Sequence, residues 1–199
     1  MGITALAQNQ TLVLASTSPR RLDLLRQAGV EPDRVAATDI DESPLKDETP
    51  RQLALRLAIG KARAGAEATP GAFVIGADTM VALGSRLFGK PVDEADARRM
   101  IGRLSGRAHK VVSGVAVVAP DGRVASRVSE TRVRWKRLTQ AEIDGFIASG
   151  EWEGVAGAYR IQGRAEAFVL DIQGSYSGIV GLPLYETLAL LEGLGYRAR

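Results

Sequence analysis

The chain contains no cysteine and a single histidine, His109. The first absence excludes a disulfide scaffold, a Cys-ligated zinc or iron–sulfur site and a thiol nucleophile. The second excludes His-rich metal sites and argues against a Ser-His-Asp triad. Chemistry in this chain therefore runs on carboxylates, lysines, arginines, hydroxyls and amides. No apolar run approaches the ~20 residues of a membrane-spanning helix. The opening MGITALAQNQ has neither a basic nor an apolar leader region, and Leu6 breaks the myristoylation pattern. The expectation is a soluble cytoplasmic protein with no membrane partner. A dominant charge sign is missing too. The 26 basic and 23 acidic residues leave +3, too little for a dedicated nucleic-acid binder but enough for a local cationic pocket.

What is present has the balance of a globular chain, with 45% apolar and 25% charged residues. At ~150 residues per domain, residues 1–199 read as a single domain, with room for two lobes around one core. No repeat, low-complexity tract or linker divides them.

The elements alternate early and pair with each other later. Residues 11–15 (TLVLA) read as a short buried strand, followed by a helix with Ser18 as N-cap, Pro19 at its first position and Gly29 past its end. A strand near residues 34–38 leads into an acidic loop of Asp39, Asp41, Glu42, Asp47 and Glu48. Thr49-Pro50-Arg51-Gln52 is a capping box that opens a helix towards Ala68. Residues 72–83 are apolar except for Asp78 and Thr79. Asp93 caps a helix ended by Gly106. A meander follows: residues 111–119, a turn at Asp121-Gly122, and a strand to Arg137. Thr139 opens a second capping box, and its helix stops before Gly150. A strand near residues 168–172 and a helix over residues 184–194 complete the chain. This order argues for an α/β fold with a mixed sheet.

Five places carry residues suited to chemistry, each with a plainer reading beside it. Ser16-Thr17-Ser18-Pro19-Arg20-Arg21 joins a strand to a helix N-terminus, where amides, hydroxyls and guanidiniums attract anions. The plainer reading is a helix cap followed by two solvated arginines. Asp78 sits inside an apolar run, where a carboxylate is costly unless paired, metal-bound or facing a cleft. It reads as a general base or metal ligand, or as the cap of a turn. Residues 84–91 (GSRLFGKP) nearly spell a P-loop. Pro91 lacks the hydroxyl that motif needs for magnesium, so the P-loop is rejected and Lys90 is kept as a phosphate contact. Lys61 follows Leu53 and Leu57 at helical spacing, and either snorkels to water or turns inward. Residues 154–163 (GVAGAYRIQG) form a glycine-rich loop holding Tyr159 and Gln162, which either meets a ligand or only connects two elements. Glu42 belongs to what is ordinarily a solvated acidic loop. His109 reads as a structural hydrogen-bonding residue.

In order along the chain, LASTSPRR, Asp41-Glu42, GKARAG, GADT, GKP, LSGRAH, AGAYRIQG and GSYSGIVGLPL resemble the Maf family of nucleoside triphosphate pyrophosphatases. The resemblance implies an α/β fold of two lobes with an interlobe active-site cleft, similar to inosine triphosphate pyrophosphatases. It implies cleavage of a nucleoside triphosphate to the monophosphate and pyrophosphate with a divalent metal, Mg²⁺ or Mn²⁺, and makes a homodimer reasonable. Asp78 matches the family's proton acceptor. Ser16, Arg20, Arg21, Glu42, Lys61 and Lys90 match its phosphate- and metal-handling positions, with Glu42 and Asp78 as metal candidates. AGAYRIQG resembles the branch acting on dTTP and UTP, whose specificity positions fall on Arg21, Thr79 and Gln162. The Gln162 amide offers both donor and acceptor to a pyrimidine edge. Thr17, Ser113 and Ser177-Gly178 depart from the family's usual residues. Two rival readings are a non-catalytic nucleotide-binding regulator of septum formation and cell division, and a nucleotidyltransferase requiring an acceptor.

Overall fold

The apolar run LVLA buries all four of its side chains and forms the first strand, β1 (Leu12–Ala15). The computed structural model describes residues 10–197. Residues 1–9, on which the leader and acylation readings largely fall, lie outside them, as do residues 198 and 199. Pro19, whose fixed φ suits the first helical position, opens α1 (Pro19–Gln27). Gly29 ends it at φ 73°. Ser18 occupies the N-cap position, but its hydroxyl makes no cap. Its amide instead donates to Ser16 Oγ at 3.2 Å. The strand expected over residues 34–38 shrinks to β2 (Arg34–Val35), both residues exposed.

The capping box at Thr49 and Gln52 forms as read and opens α2 (Pro50–Ala68). Then come β3 (Phe73–Leu83), a turn, and β4 (Arg86–Phe88), a strand that the sequence pattern did not announce. Helix α3 (Glu94–Leu104) starts at Asp93, whose carboxylate accepts from the Asp96 amide. The meander is β5 (Ala108–Val118) and β6 (Val124–Trp135), the second ending two residues before Arg137. Helix α4 (Gln140–Ala148) forms behind its capping box. Two short 3₁₀ turns, β7 (Val169–Gln173), α5 (Tyr176–Val180) and α6 (Leu184–Gly193) follow.

The seven strands make one mixed sheet in the order β2-β1-β3-β5-β6-β7, with β4 added to β3. β1 runs parallel to β2 and β3, and the other pairs are antiparallel. The fold class is thus the α/β mixed sheet read from the pattern. Side chains alternate across it. One face packs against α2 through small residues, among them Ala15, Ala58, Ala62, Val74 and Ala116. The other face carries the larger core, including Leu25, Ile75, Ile101, Trp135, Phe146 and Leu182.

Two glycines let α2 lie unusually close. A Cβ on Gly76 would stand 2.3 Å from the Ala58 carbonyl oxygen, and one on Gly114 would stand 2.3 Å from that of Ala54. Only residues without a side chain fit beneath the helix there.

Candidate active site

Strand β3 is flanked on one edge by two different partners. β1 pairs with it over residues 73–76, and β4 over residues 81–83. Residues 77–80 fall between these registers, while β5 pairs with them continuously on the other edge. Asp78 and Thr79 lie in that gap, where the chain leaving β1 turns away at Ser16. A cleft of about 720 Å³ opens there. It sits beyond the carboxyl end of β1, the ordinary place for ligands in sheets with parallel strands.

The nine catalytic, metal and substrate-binding candidates from the sequence all line this one cleft: Ser16, Arg20, Arg21, Glu42, Lys61, Asp78, Thr79, Lys90 and Gln162. They arrive from β1, α1, the acidic loop, α2, β3, the segment after β4 and the glycine-rich loop.

Lys61 does not snorkel. It lies on the buried row of Leu53, Leu57 and Gly65, which the close seat of α2 presses against the sheet. Its Nζ donates to Asp78 Oδ1 at 2.6 Å and pairs with Glu42 Oε1 at 2.7 Å. Lys61 and Asp78 are buried, whereas the Glu42 side chain is 55% exposed. Glu42 reaches inward because its loop is tied to α2. Arg56 pairs with Glu48 at 2.7 Å and donates to the Ser43 carbonyl at 2.9 Å. Hydrogen bonds from Arg56 pull the Glu48 carboxyl pKa down to about 2, so that tie is charged at neutral pH.

Two carboxylates bridged by one ammonium come together in the cleft, each with a second oxygen that Lys61 does not engage. That arrangement fits Mg²⁺, which commonly takes one or two carboxylates and completes its shell with water and phosphate oxygens. Among the described residues no third acidic or imidazole side chain joins them as a metal cluster.

The rest of the charged lining is cationic. Arg21 Nε donates to the Gly181 carbonyl at 2.8 Å and Nη1 to Ser16 Oγ at 2.9 Å. Ser16 Oγ also accepts the Ser18 amide, so its lone pairs are used and its proton remains to be donated. Burial lowers the pKa of Arg21, opposed by Asp78, reinforced by Arg20 and opposed again by Glu42. For the half-buried Arg20, burial and then the neighbouring Arg160 act in the same direction. The lining carries five cationic and two acidic side chains. Its excess of three equals the net +3 of the whole chain, so the charge imbalance is concentrated here.

Thr79, on the opposite face of β3 from Asp78, shares a hydrogen bond of 2.8 Å with Ser113 and approaches the Gly181 carbonyl at 3.3 Å. Ser113 in turn donates to the Gly178 carbonyl at 2.7 Å. Ser113 and Gly178, two residues set apart in the sequence analysis, therefore touch each other beneath Thr79. His109 holds the glycine-rich loop from behind. Its Nε2 lies 2.7 Å from the Tyr159 hydroxyl, inside an aromatic cluster with Trp135 and Phe168.

Sequence reading missed Arg160 and the Gly181 carbonyl. Arg160 lay within the loop already chosen, and alternation from Gln162 would have placed it on the ligand side. The Gly181 carbonyl left no signal, since backbone acceptors are not encoded by residue type.

The family model for Maf-like proteins matches residues 11–194. The chain belongs to the Maf family. A protein of Caulobacter vibrioides named dTTP/UTP pyrophosphatase is 60% identical to this Maf chain over 192 residues, 96% of the chain and 100% of the relative. A Hyphomonas neptunium protein of the same name is 59% identical, covering 94% of this chain and 96% of its own. Among solved structures, the Ham1 protein of Staphylococcus aureus aligns at 18% identity and a TM-score of 0.46, over 63% of this Maf chain and 72% of its own.

Proposed function

We propose that this Maf chain hydrolyses dTTP and UTP to the nucleoside monophosphate and pyrophosphate. The reading is supported by relatives at 59–60% identity whose names carry that activity. The observation that carries it is the cleft itself, where the Lys61-bridged pair Glu42 and Asp78 shares the lining with Arg20, Arg21 and Arg160. A regulator that only bound nucleotide would gain nothing from a carboxylate placed to take a proton from water. An enzyme that must orient water and take up its proton does gain.

In this account water attacks the α-phosphorus. The bond between that phosphorus and the α,β-bridging oxygen breaks, and pyrophosphate departs with the electron pair. Asp78 accepts the proton of the attacking water through Oδ2, because Lys61 occupies Oδ1. Lys61 fixes the carboxylate's orientation. Arg21, braced by Ser16 and Gly181, and Arg20 and Lys90 offset the phosphate charge that would repel the water. Glu42 and Asp78 are the residues that would hold Mg²⁺ or Mn²⁺, which when bound neutralises phosphate charge and polarises the phosphoryl group. Gln162, together with Arg21 and Thr79, selects the pyrimidine. The single sheet built from residues 12–173 supports reading the chain as one domain.

The test is pyrophosphate release from a panel of nucleoside triphosphates with Mg²⁺ or Mn²⁺. Release confined to dTTP and UTP supports the reading. Comparable turnover of 7-methyl-GTP contradicts the substrate assignment and spares the reaction class. Release that requires an added acceptor favours a nucleotidyltransferase.

A further inference from the structure

Arg160 stands in the cleft with no assigned role. It follows a turn in which Gly157 and Ala158 both take left-handed backbone, φ 70° and 62°. That conformation is disfavoured for alanine, and such strain persists where the surroundings over-determine it. Here they do: Ala158 is fully buried, the Gly157 amide donates to the Gly89 carbonyl at 3.0 Å, and Tyr159 is held by His109. Beyond the turn, burial alternates. Tyr159 and Ile161 face inward, while Arg160 is half-buried and Gln162 exposed on the cleft side.

The guanidinium of Arg160 is under-used. Its one hydrogen bond among the described residues is Nη2 to the Glu153 carbonyl at 3.5 Å, the limit of the range. Its Nε is buried without a partner. A guanidinium has five N–H donors, and a buried one left unsatisfied is costly unless a ligand supplies the acceptor. Arg20 lines the same cleft and also makes no side-chain hydrogen bond or ion pair among the described residues. The two cations oppose each other electrostatically, whereas Arg21 is the arginine that feels Asp78 and Glu42. Arg20 and Arg160 thus form a cationic couple with no carboxylate partner among the described residues, whereas Glu42 and Asp78 are both taken up by Lys61.

From this we infer that Arg160, together with Arg20, binds the terminal phosphates of the nucleoside triphosphate, the portion that leaves as pyrophosphate. The inference rests on the reading of the cleft as a triphosphate hydrolase site. It makes Arg160 a further substrate-binding residue whose contacts also set the release of product.

The test measures binding of inorganic pyrophosphate and of dTMP to the wild type, Arg160→Gln and Arg160→Lys by calorimetry, alongside dTTP kinetics. Loss of a charged hydrogen-bond donor weakens pyrophosphate about 10–100-fold in Arg160→Gln and leaves dTMP within about twofold. Arg160→Lys falls between, since it keeps a point charge and loses the planar fork. It also covers the case in which the glutamine variant does not fold. Unchanged pyrophosphate affinity in a folded variant overturns the inference. So does a loss of dTMP affinity equal to that of pyrophosphate, or a wild type that binds no pyrophosphate. Should the wild type release no pyrophosphate from dTTP, the hydrolase reading fails by itself. The pyrophosphate contrast between wild type and Arg160→Gln still decides this inference.

Discussion

Nζ of Lys61 lies 2.6 Å from Oδ1 of Asp78, across the seam between α2 and β3, with both side chains buried. Glu42 closes on the same ammonium at 2.7 Å. Removing the cation leaves two carboxylates facing each other without a counter-charge. Lys61→Met is therefore expected to lose about 3–5 kcal/mol of stability, more than Asp78→Asn, which leaves Lys61 paired with Glu42. Thermal melting of the two variants checks this. If Glu42 and Asp78 hold a divalent metal, adding Mg²⁺ or Mn²⁺ raises the melting temperature of Lys61→Met more than that of the wild type. Equal responses would count against those two carboxylates as metal ligands.

The Lys61–Asp78 contact depends on how closely α2 approaches the sheet. A methyl group on Gly76 would fall 2.3 Å from the Ala58 carbonyl oxygen and 2.4 Å from the Ala62 nitrogen, both backbone atoms that cannot step aside. Gly76→Ala is expected to cost about 1–3 kcal/mol by overpacking and to lower kcat at least tenfold by displacing Lys61. Gly102→Ala is the control, because nothing lies within 4 Å of its Cβ and alanine favours the interior of α3. Melting and steady-state kinetics on both variants separate a packing effect from a general intolerance of change.

His109 gives the stability a pH signature. Burial lowers its pKa to about 4 from an ordinary 6.5, so the folded protein holds the neutral ring. Between those values the unfolded chain binds more protons than the folded one. The contribution is complete above pH 6.5 and declines as pH falls towards 4, by about 3 kcal/mol in all. Glu48 acts in a lower window, its contribution fading as pH drops from 4.5 towards 2. Denaturant melts at pH 7, 5.5 and 4 should show the decline, and His109→Phe should flatten it above pH 4.5. A slope that survives in His109→Phe would assign the effect elsewhere.

Gln162 is exposed at the mouth of the cleft, so its replacement should spare folding. Gln162→Ala is expected to raise KM for dTTP and UTP about tenfold with a smaller change in kcat, the pattern of lost binding. Unchanged KM for both nucleotides would remove Gln162 from base recognition.

The two ends of this site differed in how plainly residue order announced them. Asp78 stood out because a carboxylate in an apolar run needs a reason, and its gap in the sheet supplies one. The capping boxes at Thr49 and Thr139 formed as read, since their hydrogen bonds are local. Lys61 was ambiguous because its partners lie 17 and 19 residues away, and helical spacing cannot say which face meets a carboxylate. β4 spans three residues and α5 five, too short for a periodic signal. Ser18 carried every local mark of an N-cap, yet its hydroxyl makes no cap, and its amide and Arg21 both donate to Ser16 Oγ. For Lys61 the deciding contacts came from distant segments, whereas those at Ser18 are local.

The central claim is that Asp78 takes the proton of the water that splits the nucleotide. Its most direct test is single-turnover release of pyrophosphate from dTTP by the wild type and Asp78→Asn, at saturating Mg²⁺ or Mn²⁺. The account expects the asparagine variant to fold and to release pyrophosphate at least about 100-fold more slowly. Wild-type rates in the folded Asp78→Asn protein would contradict it.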